Sequence, residues 1–169
     1  MQTQLSIIFN RLPLIALCIV FLSCDPDDRM NTPQYNYNVA IKNTSQEALT
    51  IKGYKTKDDI GNFLPIPQLL NILVLAPNTV SETETIHVPV PLGNIAFGFS
   101  YPSFNNGSDS IVLMFADNRG YYSNNNDTVF WIVNKSTLLS VLEKDITNED
   151  NVLKYAITQE DYENAHVLP

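Results

Sequence analysis

The sequence predicts a mainly β fold, a β-sandwich of the immunoglobulin-like or a related type with one or two short helices near the C-terminus. Three observations predict it. Apolar residues alternate with polar ones over several short runs, Pro- and Asn-rich turns separate those runs, and few stretches adopt a helical period. The composition, 44% hydrophobic and 17% charged, is typical of a folded domain.

The first two strands are predicted from "YNYNVAIKN" and "ALTIKGY". Every second residue from Tyr35 to Ile41 is apolar, and Leu49 and Ile51 continue the alternation in the second run. Because only "TSQE" separates the two runs, they are predicted to form a hairpin. The stretch 55–62 is predicted to be a loop.

Proline limits what the next segment can form. Pro65 and Pro67 exclude a central strand there, because proline cannot donate to a ladder on both sides. The following "LLNILVLAP" fits a short helix or a strand, and its periodicity does not decide between them. In "TVSETETIHVPV" the alternation predicts that Val80 and Ile86 point inward.

The second half contains the more apolar runs. "NIAFGFSY" alternates, whereas "SIVLMFA" and "TVFWIVN" are continuously apolar, as expected of central strands, with Trp131 in the core. "DNRG" predicts a turn, and "NVLKYAI" a final strand. A helix is predicted from Ser136, as N-cap, through Leu142, and the spacing Thr158-x-x-Asp161 predicts a capped C-terminal helical turn.

The N-terminus has the organisation of a secretory signal. Arg11 precedes an uncharged run over Leu12–Leu22, and Ser23 supplies the small residue before a cleavage site. The run has 22 − 12 + 1 = 11 residues, against about 20 for a membrane-spanning helix. A removed signal peptide is therefore predicted.

The residues "FLSC" resemble a bacterial lipobox, although Phe21 stands where that motif prefers Leu. The resemblance implies that Cys24 is acylated and becomes the new N-terminus; the other reading is an ordinary cysteine. Residues 1–23 are then the signal peptide, 24–33 an acidic flexible tether and 34–169 one globular domain of β type. Several acyl chains hold a protein stably on a membrane, so the lipid on Cys24 is the predicted membrane contact.

The tract "CDPDD" resembles the acidic stretch that follows the lipidated cysteine in Bacteroidota lipoproteins. There it favours export to the outer leaflet of the outer membrane, whereas in enterobacterial lipoproteins an Asp after the cysteine implies retention at the inner membrane. It also fits a plain solvated linker. "DSIVLMFADNRGYY" and "ITQEDYENA" are similar to small uncharacterised lipoproteins of gut Bacteroidota, which implies an outer-membrane, surface-exposed or periplasmic location without implying any chemistry.

Charge and motif content narrow the function classes. The net charge is −8, and −9 once Arg11 is removed, so a nucleic-acid partner is not expected. No phosphate-binding or nucleophile motif appears, and the two histidines, His87 and His166, lie far apart. The sequence therefore predicts no catalytic residue, no metal site and no cofactor.

Binding and modification candidates are few. The aromatic candidates for glycan stacking are Tyr54, Tyr101, Phe104, Tyr121, Tyr122 and Trp131. Tyr121 and Tyr122 follow a turn, and consecutive strand residues face opposite sides, so one of them is predicted to be exposed at a binding edge. "DSI" and "DTV" resemble the O-glycosylation motif of Bacteroidota, which would modify Ser110 and Thr128.

Three functions stay open at this point. The first is a non-enzymatic binding or accessory module for a protein partner or a glycan. The second is a structural or anchor subunit of a surface fibre, for which the run Leu153–Ile157 is the candidate detachable strand. The third is a glycan hydrolase, which needs two converging carboxylates.

Overall fold

The computed structural model describes residues 35–88, 100–124, 130 and 135–169. The described strands form two packed sheets, which confirms the predicted β-sandwich. The strands are β1 Tyr35–Asn43, β2 Leu49–Lys57, β3 Phe63–Leu75, β4 Glu84–Val88, β5 Ser110–Phe115, β6 Arg119–Asn124, β7 Ile146–Glu149, β8 Val152–Ile157 and β9 His166–Val167. The short helices are α1 Pro102–Asn105 and α2 Gln159–Glu163, with a 3₁₀ turn at Glu143–Asp145.

Sheet A has the strand order β4-β1-β8-β7, and sheet B has the order β3-β2-β5-β6-β9. Sheet B is antiparallel throughout, whereas in sheet A the pair β1 and β8 is parallel. The core lies between the sheets. Its largest members are the buried aromatic and branched side chains Tyr101, Phe104, Ile111, Leu113, Phe115, Tyr121, Phe130, Leu138 and Ile157.

The predicted hairpin of β1 and β2 is wrong, because the two strands belong to different sheets. Asn43 ends β1 with its side chain 0% exposed. Its amide donates to the carbonyls of Glu47, Leu75 and Ala76 over 2.8, 3.3 and 3.1 Å, and its Oδ1 accepts from the amide and hydroxyl of Ser45. These bonds fix the chain as it crosses from sheet A to sheet B.

The segment "LLNILVLAP", predicted to form a helix or a strand, lies mostly in strand β3. The run after Pro67 is strand, and β3 lies at the edge of sheet B, so the exclusion of a central strand by Pro65 and Pro67 is confirmed. β2 extends to Lys57, so the predicted loop is limited to residues 58–62. Ile86 points inward as predicted, but Val80 is exposed beyond the end of β3, where it forms only an isolated bridge with Lys42.

Some of the predictions for the C-terminal half are confirmed, and one is wrong. β5 is central, the turn before β6 forms as predicted, and Thr158 and Asp161 form the predicted capping box of α2. The helix predicted from Ser136 to Leu142 is wrong. Ser136 N donates to Asp145 Oδ2 over 2.7 Å and Tyr101 N donates to the Leu138 carbonyl over 2.8 Å, so tertiary hydrogen bonds replace helical ones. The runs "NIAFGFSY" and "TVFWIVN", with Trp131, lie outside the described residues except for Ser100 and the buried Tyr101 and Phe130.

We predict that Asn43→Ala lowers the free energy of unfolding by about 3 kcal/mol, because it removes the hydrogen-bond donor from three carbonyls, at least one of them deeply buried. Urea denaturation measures the change. The exposed Asn106 provides the control, and Asn106→Ala is expected to change stability by less than about 0.5 kcal/mol. Equal effects of the two substitutions would contradict the role given to Asn43.

Candidate functional site

The outer face of sheet B is the most distinctive surface of the described chain. Side chains alternate between the core and this face, and the strand register aligns the outward ones in rows across the sheet. The rows are Val74–Thr50–Met114–Gly120, Ile72–Lys52–Val112–Tyr122 and Leu69–Tyr54–Ser110–Asn124. Most of these residues are apolar or aromatic, which is unusual for a sheet face that no second layer covers within the described ranges.

A groove of about 400 Å³ crosses this face, which we call the tyrosine groove. Tyr54 on β2 and Tyr122 on β6 stand on the two strands that flank β5. Two strand spacings, roughly 10 Å, separate β2 from β6, and the two tyrosines are offset by two residues, about 7 Å, along the strands. The remaining lining is Thr56, Pro67, Ser110 and Val112. The groove thus combines two phenol rings with an apolar floor and the Thr56 hydroxyl, while Ser110 in its lining is almost fully buried.

The local backbone sets the position of Tyr54. The β2–β3 register shifts between Gly53 and Tyr54, leaving one extra residue in β3, and such a bulge increases the twist of the strands. A Cβ on Gly53 would lie 2.6 Å from Ser108 Oγ and 2.9 Å from the Phe104 ring, so only glycine fits there. Position 53 faces the core, so alternation along β2 places Tyr54 on the outer face, directly beside the bulge.

Asp109 fixes the end of β2 beside the groove. Its carboxylate accepts from the backbone amides of Thr56 and Lys57 over 2.8 and 3.0 Å and from the Thr56 hydroxyl over 2.8 Å. These bonds hold the backbone of β2 beyond Tyr54 in place. Asp109 is therefore a structural carboxylate with its oxygens occupied.

Strand β3 continues the face to the edge of the sheet. Five of its large apolar side chains are between 44% and 79% exposed: Phe63, Ile66, Leu69, Ile72 and Val74. The three rows contain one charged residue, Lys52, and no acidic residue, in a chain of net charge −8. The outer face is therefore apolar and locally free of negative charge.

A second concavity, of about 590 Å³, lies beside the start of β1 and the β7–β8 hairpin. Its lining is mostly polar: Asn36, Tyr37, Asn38, Glu143, Ile146, Asn148, Asn151 and Leu153. Glu143 is the one carboxylate in the described lining, and the tyrosine groove has none. Neither of these two concavities brings together the two carboxylates that glycoside hydrolysis needs. A further concavity, of about 410 Å³ between the end of β3 and the start of β4, is lined by both Glu82 and Glu84, and the Glu84 carboxylate accepts a hydrogen bond from the Ser103 hydroxyl.

The structure separates the two adjacent tyrosines, as predicted. Tyr122 is 42% exposed on the outer face, whereas Tyr121 is 2% exposed in the core. The Tyr121 hydroxyl donates to the backbone carbonyl of Asp161, and burial raises the pKa of Tyr121 to about 12. Tyr121 is therefore a core residue, and of the two candidates it is Tyr122 that the outer face presents.

The other predicted residues are not brought together. Ser110 is 1% exposed on β5, so the folded domain does not present it, and glycosylation there stays a prediction for the chain before it folds. Cys24 and Thr128 lie outside the described residues. Tyr101 and Phe104 are buried core residues.

No metal site emerges in the described part of the chain. His87 Nδ1 lies 2.6 Å from Asn36 Oδ1 on the outer side of sheet A, and His166 lies on β9 of sheet B. No group of three His, Cys, Asp or Glu is placed to hold a metal ion within the described ranges. No helix in those ranges is long and apolar enough to span a membrane.

Comparisons of the chain with protein-family profiles, with curated protein sequences and with solved structures found no match. The outer face of sheet B, with its groove, is therefore the main indication of function. Sequence reasoning identified Tyr54 and Tyr122 only as members of a larger aromatic set. Their proximity depends on β2 and β6 both flanking β5, which alternation alone does not reveal.

Proposed function

We propose that this protein is a cell-envelope lipoprotein, anchored through acylated Cys24, whose β-sandwich is a non-enzymatic module that binds a glycan in the tyrosine groove. The observation that carries the proposal is the placement of Tyr54 and Tyr122 on either side of β5, with Ser110, Thr56 and Val112 between or beside them.

The groove has the mixed chemistry that a sugar requires. A pyranose ring presents C–H groups on its faces and hydroxyls around its edge. The phenol rings and Val112 offer apolar surface to the faces, while the two tyrosine hydroxyls and Thr56 offer hydrogen bonds at the edge. A neutral sugar also meets no acidic residue in the three rows of the outer face.

Anchoring rests on the N-terminal sequence. The lipobox-like "FLSC" ends at Cys24, and the polar, proline-containing tract that follows extends almost to Tyr35, where β1 begins. A tract of this composition is a suitable spacer between a membrane surface and a binding domain.

The fibre-subunit and hydrolase alternatives have less support from the arrangement of the described residues. β8, the candidate detachable strand of a fibre subunit, lies between β1 and β7, and its Tyr155 and Ile157 are buried in the core. Its removal would divide sheet A. The hydrolase alternative needs two converging carboxylates, and the tyrosine groove has none and the concavity beside Glu143 has one. Glu82 and Glu84 line a separate concavity, where the Glu84 carboxylate is already bonded to the Ser103 hydroxyl.

The anchor is tested by Cys24→Ala in the full-length protein, with Cys18→Ala as the matched control inside the predicted signal peptide. We expect Cys24→Ala to abolish metabolic labelling by an alkyne fatty acid and to move the protein out of the detergent phase in phase partitioning. Cys18→Ala is expected to change neither. Retained labelling of the Cys24→Ala protein would rule out acylation at this residue.

The groove is tested by affinity electrophoresis of the full-length protein in gels containing soluble starch, yeast mannan, mixed-linkage β-glucan or galactan. We expect at least one polymer to retard the protein. Tyr54→Ala and Tyr122→Ala are each expected to weaken that binding by about tenfold, roughly 1.4 kcal/mol, because each removes one ring of the groove.

Two variants serve as controls. Tyr122→Phe keeps the ring and is expected to retain most of the binding, whereas Tyr35→Ala removes an exposed tyrosine from sheet A and is expected to have no effect. Glycan binding that survives the loss of both groove tyrosines would place the binding site elsewhere.

A further inference from the structure

The free edge of β3 is the least protected edge of the described sheets. β3 is the longest described strand, with 13 residues, and it pairs with β2 alone among the described strands. An unpaired edge presents backbone donors and acceptors to any strand that approaches. Natural proteins usually protect such edges with charged residues, prolines, bulges or very short strands.

The two halves of β3 differ in this protection. Pro65 and Pro67 remove two donors from the first half, and the extra residue of the bulge lies between Leu69 and Asn71. The last five residues, Asn71–Leu75, contain no proline, no bulge and no charge, and Ile72 and Val74 are 55% and 64% exposed. This segment, which we call the open edge, can accept a further strand, and at its end the Leu75 carbonyl already accepts a bond from the Asn43 side chain.

Charge distinguishes the open edge from the other described edges. Two copies of a chain with net charge −8 repel each other over most of their surfaces. In sheet A the edge strand β4 contains Glu84, and the edge strand β7 contains Glu149 followed by Asp150. All thirteen residues of β3 are uncharged, and the neighbouring outward residue on β2 is Lys52. β9, the other edge strand of sheet B, also contains no acidic residue but has only two residues, so β3 is the long edge at which a second copy meets the least repulsion.

The open edge is also self-complementary. In an antiparallel pair of two β3 strands related by a two-fold axis at Leu73, Ile72 of each copy lies opposite Val74 of the other. These residues are β-branched and share the outer face, and such cross-strand pairs stabilise sheets. An isologous contact of this kind closes on itself, so it makes a dimer and not a fibre.

We propose that two copies of this protein associate through antiparallel pairing of the open edge, Asn71–Leu75, centred on Leu73. The pairing joins the two B sheets into one continuous sheet and covers Ile72 and Val74 of both chains. The tyrosine grooves of the two copies then lie on the same extended face. Dimerisation does not depend on what the groove binds.

Sedimentation equilibrium of the full-length protein in density-matched detergent tests the proposal. We expect twice the mass of one chain for the unmodified protein. Ile72→Lys is expected to give the mass of one chain, because it places two lysines in the interface. Ile66→Lys introduces the same charge at an exposed isoleucine in the proline-containing half of the same strand, and is expected to remain dimeric.

A cross-linking experiment tests the register of the β3–β3 pairing, with a new disulfide-linked dimer as the signal. In the double variant Ile72→Cys, Val74→Cys, each new thiol lies opposite one from the other copy, so mild oxidation is expected to give a disulfide-linked dimer. Ile72→Cys alone is expected to give little disulfide-linked dimer, because the new thiols at position 72 of the two chains are displaced by two residues along the strands. A monomeric unmodified protein, an Ile72→Lys protein as dimeric as Ile66→Lys, or absent cross-linking in the double variant would each overturn the proposal.

Discussion

The fold depends on one buried side chain, the carboxamide of Asn43, at the point where the chain leaves sheet A for sheet B. A single residue there satisfies carbonyls from the crossing loop and from the end of β3 while it accepts two bonds from Ser45. A carboxylate could not donate these bonds, and an aliphatic side chain would leave buried carbonyls without partners. The register of β1 in one sheet and the end of β3 in the other are thus tied to the same residue.

That crossing makes sheet B asymmetric. Its inner side packs Ile51, Leu113 and Tyr121 into the core, while its outer side has no covering layer among the described residues. Gly53 and the bulge beside it immediately precede Tyr54, which lines the groove on this side together with Tyr122. The outer face is therefore a consequence of how the core is built. Its apolar character is not needed for packing, which is why we assign it a binding role.

Local signals in the sequence predict the parts of the fold that depend on local interactions. The turn between β5 and β6 and the Thr158–Asp161 capping box are confirmed because neighbouring residues supply their bonds. The alternation of β8 is confirmed because it follows from burial of one side of the strand, whichever strand is its partner. The hairpin of β1 and β2 and the helix after Ser136 fail because distant partners, Leu75 and Tyr101, supply the decisive contacts. The same holds for the site: exposure of Tyr122 follows from alternation, but its pairing with Tyr54 requires the strand order.

The central claim is that Tyr54 and Tyr122 form one ligand site, and NMR of the full-length protein with ¹³C-labelled tyrosine tests it most directly. The chain has eight tyrosines, few enough for their ring signals to be assigned by substitution. On addition of oligosaccharides from starch, mannan, β-glucan and galactan, the account predicts that the signals of Tyr54 and Tyr122 shift together with one saturation curve while that of Tyr35 stays in place. Shifts confined to other tyrosines, or none with any of these sugars, would contradict it.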